Sequence, residues 1–256
     1  MNDLMKPAYL MLAAATILAT AACNSEKGTN SSSSGAPVST APIKPVAAPN
    51  GGDWTKMVVR TPEGGYLMGN PNADVKLIEF GSMTCPHCAE FEEQHGEQLI
   101  GTYVKSGRVS YEFRNFVRDP FDLAASLIAR CGGPERFFPL TRQLFVDQRN
   151  WTAKLQDIPQ DQIEALQNLG PETKFIQIAK LADLQTWGAQ RGVPSSASST
   201  CLADRKEIDL LVQMNGDATT KYPEFKGTPT FIVNDKMVDG STWEILEPEL
   251  RKALGS

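Results

Sequence analysis

Cys85-Pro86-His87-Cys88 holds two thiols with two residues between them. Three chemistries use that spacing: half of a zinc site, a haem attachment point, or a dithiol that cycles with its disulfide. Attachment of c-type haem needs a histidine directly after the second cysteine, where this chain has Ala89. Structural zinc needs four ligands at suitable spacing. Cys23, Cys131 and Cys201 are dispersed, no second Cys-x-x-Cys exists, and His95 is the one other histidine, so no metal is expected. A structural disulfide closing a two-residue loop would gain little chain entropy. Redox chemistry is therefore the leading reading, with no cofactor expected.

Two strands and a helix must hold such a dithiol. Residues 75–80, Val-Lys-Leu-Ile-Glu-Phe, form a short apolar run bounded by Asp74 and Gly81 and read as a buried strand. Pro86 suits the first position of a helix, and helix formers continue to about residue 104, which puts Cys85 at the N-cap. Unpaired N–H groups and the helix dipole stabilise an anion there, favouring the Cys85 thiolate. His87 adds to this if it is protonated or donates a hydrogen bond. Cys88, one turn in, is expected to be deeper and to resolve the mixed disulfide. Residues 107–117 alternate apolar and polar side chains and read as the next strand. Strand, helix and strand around Cys-x-x-Cys is the setting of a thioredoxin-like redox motif.

Helical patterns follow over residues 121–130, 137–146, 162–169, 173–190 and 203–214, too many for one crossover. Strand character returns at 228–234 and 236–238, and a last helix is predicted over 242–254 with Ser241 or Thr242 as cap. The fold class is thus α/β: a first core segment at 54–118, an inserted α-helical domain at 119–224 and a second core segment at 225–256. Phe91, Phe113 and Phe116 are expected in the core, and His95 is read as a solvated helix residue without a role.

The 256 residues carry a net charge of -5 and contain no basic run, so nucleic acid is not an expected partner. Residues 8–22 are apolar, follow Lys6 and are too short to span a membrane. Residues 1–22 read as a secretory signal ending before Cys23, which resembles the acylated cysteine of bacterial lipoproteins. Thr20 departs from that pattern, and cleavage one residue earlier is the alternative. Residues 23–53 read as a lipidation site followed by a Ser/Pro/Ala-rich linker that cannot bury enough surface to order itself. Lipidation of Cys23 leaves four cysteines, whose simplest pairing is Cys85 with Cys88 and Cys131 with Cys201.

Leu77-Ile-Glu-Phe80, Cys85-Pro-His-Cys88, Phe91-Glu-Glu93 and Gly227-Thr-Pro-Thr-Phe231 resemble the DsbA family of bacterial disulfide oxidoreductases over residues 54–253. The resemblance implies a thioredoxin fold with an inserted helical domain and a monomeric periplasmic protein, joined to the membrane only through its lipid. That protein would pass a disulfide to the thiols of folding exported proteins and be reoxidised by a membrane partner. It implies that Cys85 is the nucleophile, that Pro229 is a cis-proline beside it, and that Glu79 handles the proton of Cys88. Cys131–Cys201 would be a second, noncatalytic disulfide. Thr228 stands where strong oxidases of the family carry valine and matches the threonine of isomerases. A disulfide isomerase, a reductase of the same family and a peptide-gripping chaperone are the rival functions. Isomerases of the family add an N-terminal dimerisation domain where this chain has low-complexity sequence, and cytochrome-assembly reductants lack the long helical insert.

Overall fold

The computed structural model describes residues 41–255. The expected signal at 1–22, Cys23 and residues 24–40 of the expected linker lie outside the described residues.

Six strands among the described residues make one sheet: β1 (Val58–Arg60), β2 (Tyr66–Met68), β3 (Val75–Gly81), β4 (Val109–Asn115), β5 (Thr230–Val233) and β6 (Lys236–Met237). Their spatial order is β1-β2-β4-β3-β5-β6. The central pair β3 and β4 is parallel, from Val75 opposite Val109 to Gly81 opposite Asn115, and every other pairing is antiparallel. A parallel pair needs a crossover, here supplied by α1 (Pro86–Gln98) and a π-helical continuation over Leu99–Val104. The expected single helix to residue 104 thus changes winding at Leu99.

Eight helices intervene between β4 and β5: α2 (Pro120–Cys131), α3 (Pro134–Val146), α4 (Gln148–Gln156), α5 (Gln160–Gln167), α6 (Pro171–Leu181), α7 (Leu184–Gln190), α8 (Ser195–Leu202) and α9 (Arg205–Lys221). The chain closes with α10 (Trp243–Leu254). Together these elements form a thioredoxin fold with a helical insertion. The run expected as one helix over 173–190 is two, because Asp183 adopts a left-handed conformation (φ 56) between α6 and α7. The helix expected over 203–214 starts and ends later, capped by the Asp204 carboxylate, which accepts from the N–H groups of Lys206 and Glu207. One apolar core spans the sheet and the insertion: Tyr66 of β2 stacks on Phe137 of α3 at 4.1 Å, and Phe113 of β4 meets Phe145.

Residues 41–53, expected as free linker, lie against the domain. The Val46 N–H donates to the Ser106 carbonyl (2.7 Å), the Trp54 indole donates to the Val46 carbonyl (2.8 Å), and Ile43 packs on the core. The composition of this stretch hides Ile43, which packs on the core, and the segment is held by it, by the Val46 backbone and by buried Trp54, while the Val46 side chain is exposed.

Candidate active site

Strand β3 ends at Gly81, a position that the neighbouring strand β4 leaves open only to glycine. A side chain there would meet the Phe113 ring at 2.5 Å and the Glu79 carboxylate at 3.2 Å. The chain then turns, with the Cys85 N–H donating to the Ser82 carbonyl at 3.1 Å, and enters α1 with Cys85 as N-cap and Pro86 as its first residue. Cys85 and Cys88 are free thiols, so the structure shows the reduced dithiol rather than their bridge. Cys85 is 2% exposed and Cys88 is fully buried.

The two sulfurs lie in opposite electrostatic settings. A hydrogen bond from the Cys88 thiol, the nearby Thr228 hydroxyl and the backbone N–H groups of Cys88 and His87 together outweigh burial and hold the Cys85 thiol down at about 5. Burial, followed by the hydrogen bond that its thiol shares with Cys85, pushes Cys88 well above the ordinary thiol range. His87 contributes its backbone N–H, while its side chain is exposed.

Beneath the dithiol, Glu79 is 2% exposed and accepts a 2.6 Å hydrogen bond from the Tyr111 hydroxyl. Burial raises its carboxyl to about 8, against the opposing effect of Tyr111 and with help from Glu92 and Cys85. Near pH 7 it is therefore mainly protonated and able to give a proton away. Tyr111 also lines a cavity of about 570 Å³ whose wall carries Glu92 and Arg142, paired at 2.7 Å. Burial raises Glu92 to about 7, with Arg142 opposing.

The loop before β5 closes the site from the other side. The Thr228–Pro229 peptide bond is cis, and the Cys85 thiol donates to the Thr228 carbonyl at 3.1 Å. A cleft of about 290 Å³ runs along this loop, lined by Lys226, Thr228, Pro229, Met237, Val238 and Ser241. The structure thus gathers Glu79, Cys85, Pro86, His87, Cys88, Thr228 and Pro229 in one place. Cys131 and Cys201 are joined elsewhere, at the end of α2 and in α8, as a disulfide with Cα atoms 5.6 Å apart. His95 stacks on Trp243 at 5.5 Å rather than standing in solvent.

Four residues in contact with the site carried no sequence signal. Tyr111 follows the ordinary alternation of its strand, and Asp119, Asp122 and Gln148 reach the redox turn from the inserted helices.

An apolar strand, a Cys-x-x-Cys at a helix N-terminus and a facing cis-proline define a redox protein of thioredoxin type. The family model described as Thioredoxin matches residues 61–251. A crystal structure from Novosphingobium aromaticivorans, named protein-disulfide isomerase, is 34% identical. It covers 74% of this chain and 97% of its own, with a TM-score of 0.69. The structure of alpha-DsbA1 from Wolbachia pipientis, 22% identical, covers 75% of this chain and 91% of its own with a TM-score of 0.60, a likeness of fold. Proteins of Rickettsia bellii and Rickettsia prowazekii, provisionally named protein-disulfide oxidoreductases, are each 26% identical over 200 residues, 78% of this chain. The chain spans 68% and 65% of their lengths, about two thirds. The chain belongs to the thioredoxin family.

Proposed function

We propose that the chain is an exported dithiol oxidase that passes a Cys85–Cys88 disulfide to folding proteins. The observation that carries this reading is the divergence of the two thiols, one held down at about 5 and the other raised by burial. A thiolate stabilised in the reduced state makes the oxidised state a strong donor of its bond. DsbA itself is the known example of that poise, and the direction of transfer is taken from it.

In the forward step a substrate thiolate attacks the Cys85 sulfur of the oxidised protein. The Cys85–Cys88 bond breaks as the new S–S bond forms, and Cys88 leaves with the electron pair. A leaving thiolate in this buried position needs a proton, and protonated Glu79, bonded to Tyr111, is the donor. The second substrate thiolate then attacks the substrate sulfur of the mixed disulfide and expels Cys85 as its stabilised thiolate. The substrate has lost two electrons and, on ionising, two protons to solvent; the protein keeps both electrons and one proton, on Cys88, as Glu79 is reprotonated from solvent, and the second proton stays in solvent because Cys85 leaves as its thiolate. Reoxidation requires an electron acceptor, assigned here to a membrane protein of the disulfide-forming pathway. The cleft beside Thr228 and Pro229 suits an extended substrate segment. Cys23 would tether this monomer to the periplasmic face of the membrane; no helix among the described residues is long and apolar enough to cross one.

The name of the Novosphingobium structure favours a second reading, disulfide isomerisation, as does the threonine before the cis-proline. Equilibration with glutathione, followed by refolding of a reduced and a scrambled four-disulfide substrate, separates the two. An oxidase is expected to act on the reduced substrate and to leave the scrambled one largely unrepaired. Efficient rescue of the scrambled substrate alone would overturn the oxidase reading.

A further inference from the structure

The turn that carries Cys85 belongs to the thioredoxin half, yet the groups that grip it come from the insertion. Asp122, fully buried in the first turn of α2, accepts from the Met83 N–H (2.8 Å) through one oxygen and from the Ser82 hydroxyl (2.6 Å) through the other. Its remaining bonds are local, to the Arg118 N–H at 2.9 Å and the Ser126 hydroxyl at 3.3 Å. Asp119 accepts from the Thr84 hydroxyl at 2.8 Å while capping the same helix. From α4, the Gln148 amide donates to the carbonyls of Met83 (2.8 Å) and Cys85 (2.9 Å), and Gln148 is 5% exposed. The start of α4 is fixed in turn, because the Asp147 carboxylate accepts from the Trp187 indole at 2.8 Å and from Arg191 at 2.6 Å.

We infer that Asp122 and Gln148 are positioning residues through which the inserted helices set the reactivity of Cys85. The physical link is the orientation of the peptide units from Met83 to Cys85. The Cys85 carbonyl also accepts from the Ala89 N–H (3.2 Å), so Gln148 and the first helical bond together fix how the chain enters α1. That entry places the N–H groups of His87 and Cys88 at the helix N-terminus beside the Cys85 sulfur, where they favour the thiolate. With Gln148 removed, two carbonyls lose a buried donor and the turn has freedom to tilt those N–H groups away. The Asp122 carboxyl, raised to about 6 by burial against its hydrogen bonds, holds the other end of the turn.

The inference rests on the oxidase reading for its importance, while its main measurement needs no turnover. Gln148→Met keeps the shape and deletes the donor; Asp122→Ala deletes the acceptor and Asp122→Asn restores one for Met83. Leu184→Ala serves as control, since Leu184 is fully buried in α7 and its side chain has no polar group to hold the turn. For each full-length variant, thiolate absorbance is followed against pH, the glutathione equilibrium is measured, and thermal melts record stability. Gln148→Met is expected to raise the pH at which Cys85 ionises and to weaken the protein as an oxidant by about three- to tenfold, the worth of one hydrogen bond. Asp122→Asn is expected to fall between Asp122→Ala and the wild type. Leu184→Ala is expected to lower the melting temperature and leave both thiol readouts in place.

Folded Gln148→Met with wild-type ionisation and equilibrium would overturn the inference, as would equal shifts in Leu184→Ala. Should Gln148→Met fail to fold, the Asp122 pair decides, and unchanged thiol readouts in both rule the clamp out. A wild type that oxidises no substrate while Cys85 ionisation still follows this pattern would sink the oxidase reading and leave the clamp standing.

Discussion

The molecule holds two pairs of cysteines, and their surroundings differ more than their chemistry. Cys85 and Cys88 stand three residues apart at the N-terminus of α1, where the Cys88 thiol and the first backbone N–H groups of the helix favour a negative charge on the Cys85 sulfur. Cys131 and Cys201 stand 70 residues apart, at the C-terminal end of α2 and the last turn of α8. A helix C-terminus presents carbonyls, which do nothing for a thiolate, so the second pair lacks the feature that lowers the first thiol. Bridging distant residues instead restrains the unfolded chain. Placement thus separates a bond that is exchanged from one that is kept.

The largest expected effect breaks the exchanging pair. Cys85→Ala is expected to abolish turnover in oxidative refolding, whereas Cys88→Ala is expected to accumulate a mixed disulfide on Cys85, visible by mass under nonreducing conditions. A Cys88→Ala protein that turned over normally would remove Cys88 as the redox partner of Cys85. Next, the Cys131→Ala, Cys201→Ala double variant is expected to lose about 2 to 4 kcal/mol in urea unfolding, with its glutathione equilibrium unmoved. Loss of turnover in a folded double variant would contradict the division of labour.

The pH dependence gives a finer test. Glu79 is raised from 4.5 to about 8 in the folded protein, so its contribution to stability is complete below 4.5 and is lost as pH rises through about 8. Glu79→Gln is therefore expected to be the more stable protein above pH 8, with the difference shrinking on acidification. The rate of disulfide donation that depends on this proton is expected to fall about tenfold between pH 7 and 9 in the wild type and to lack that inflection in Glu79→Gln. Cys85 runs the other way. Lowered from 9.0 to about 5, it contributes stability to the reduced form that is present above pH 9 and lost as pH falls through about 5. Its alkylation rate is expected to inflect near 5, and an inflection near 9 would show that the N-terminus of α1 does not govern this sulfur.

Much of this arrangement was legible because it is local. Cys85, Pro86 and Cys88 state their own helix position, the apolar run carrying Glu79 states its strand, and the scattered helical patterns between two strand regions announce an insertion. The rest depends on distance. Strands β1 and β2 have three residues each, too few for alternation to register, and α8 is written in serine, which favours helix interiors weakly. Gln148 reaches Cys85 across 63 positions and Tyr111 reaches Glu79 across 32, contacts that no spacing rule connects. Proline and alanine around Ile43 read as linker until the core that Ile43 packs on is known.

That docked segment also gives the molecule a direction. It meets the domain at Ser106, beside the start of β4 and therefore beside Val75, while the dithiol follows the far end of β3 at Gly81. Seven residues of strand separate the two ends, about 20 Å. Tension applied to the chain ahead of residue 41 acts on the base of the sheet and leaves the reactive sulfur at the opposite pole. A chain held from that side would point Cys85 away from the point of attachment.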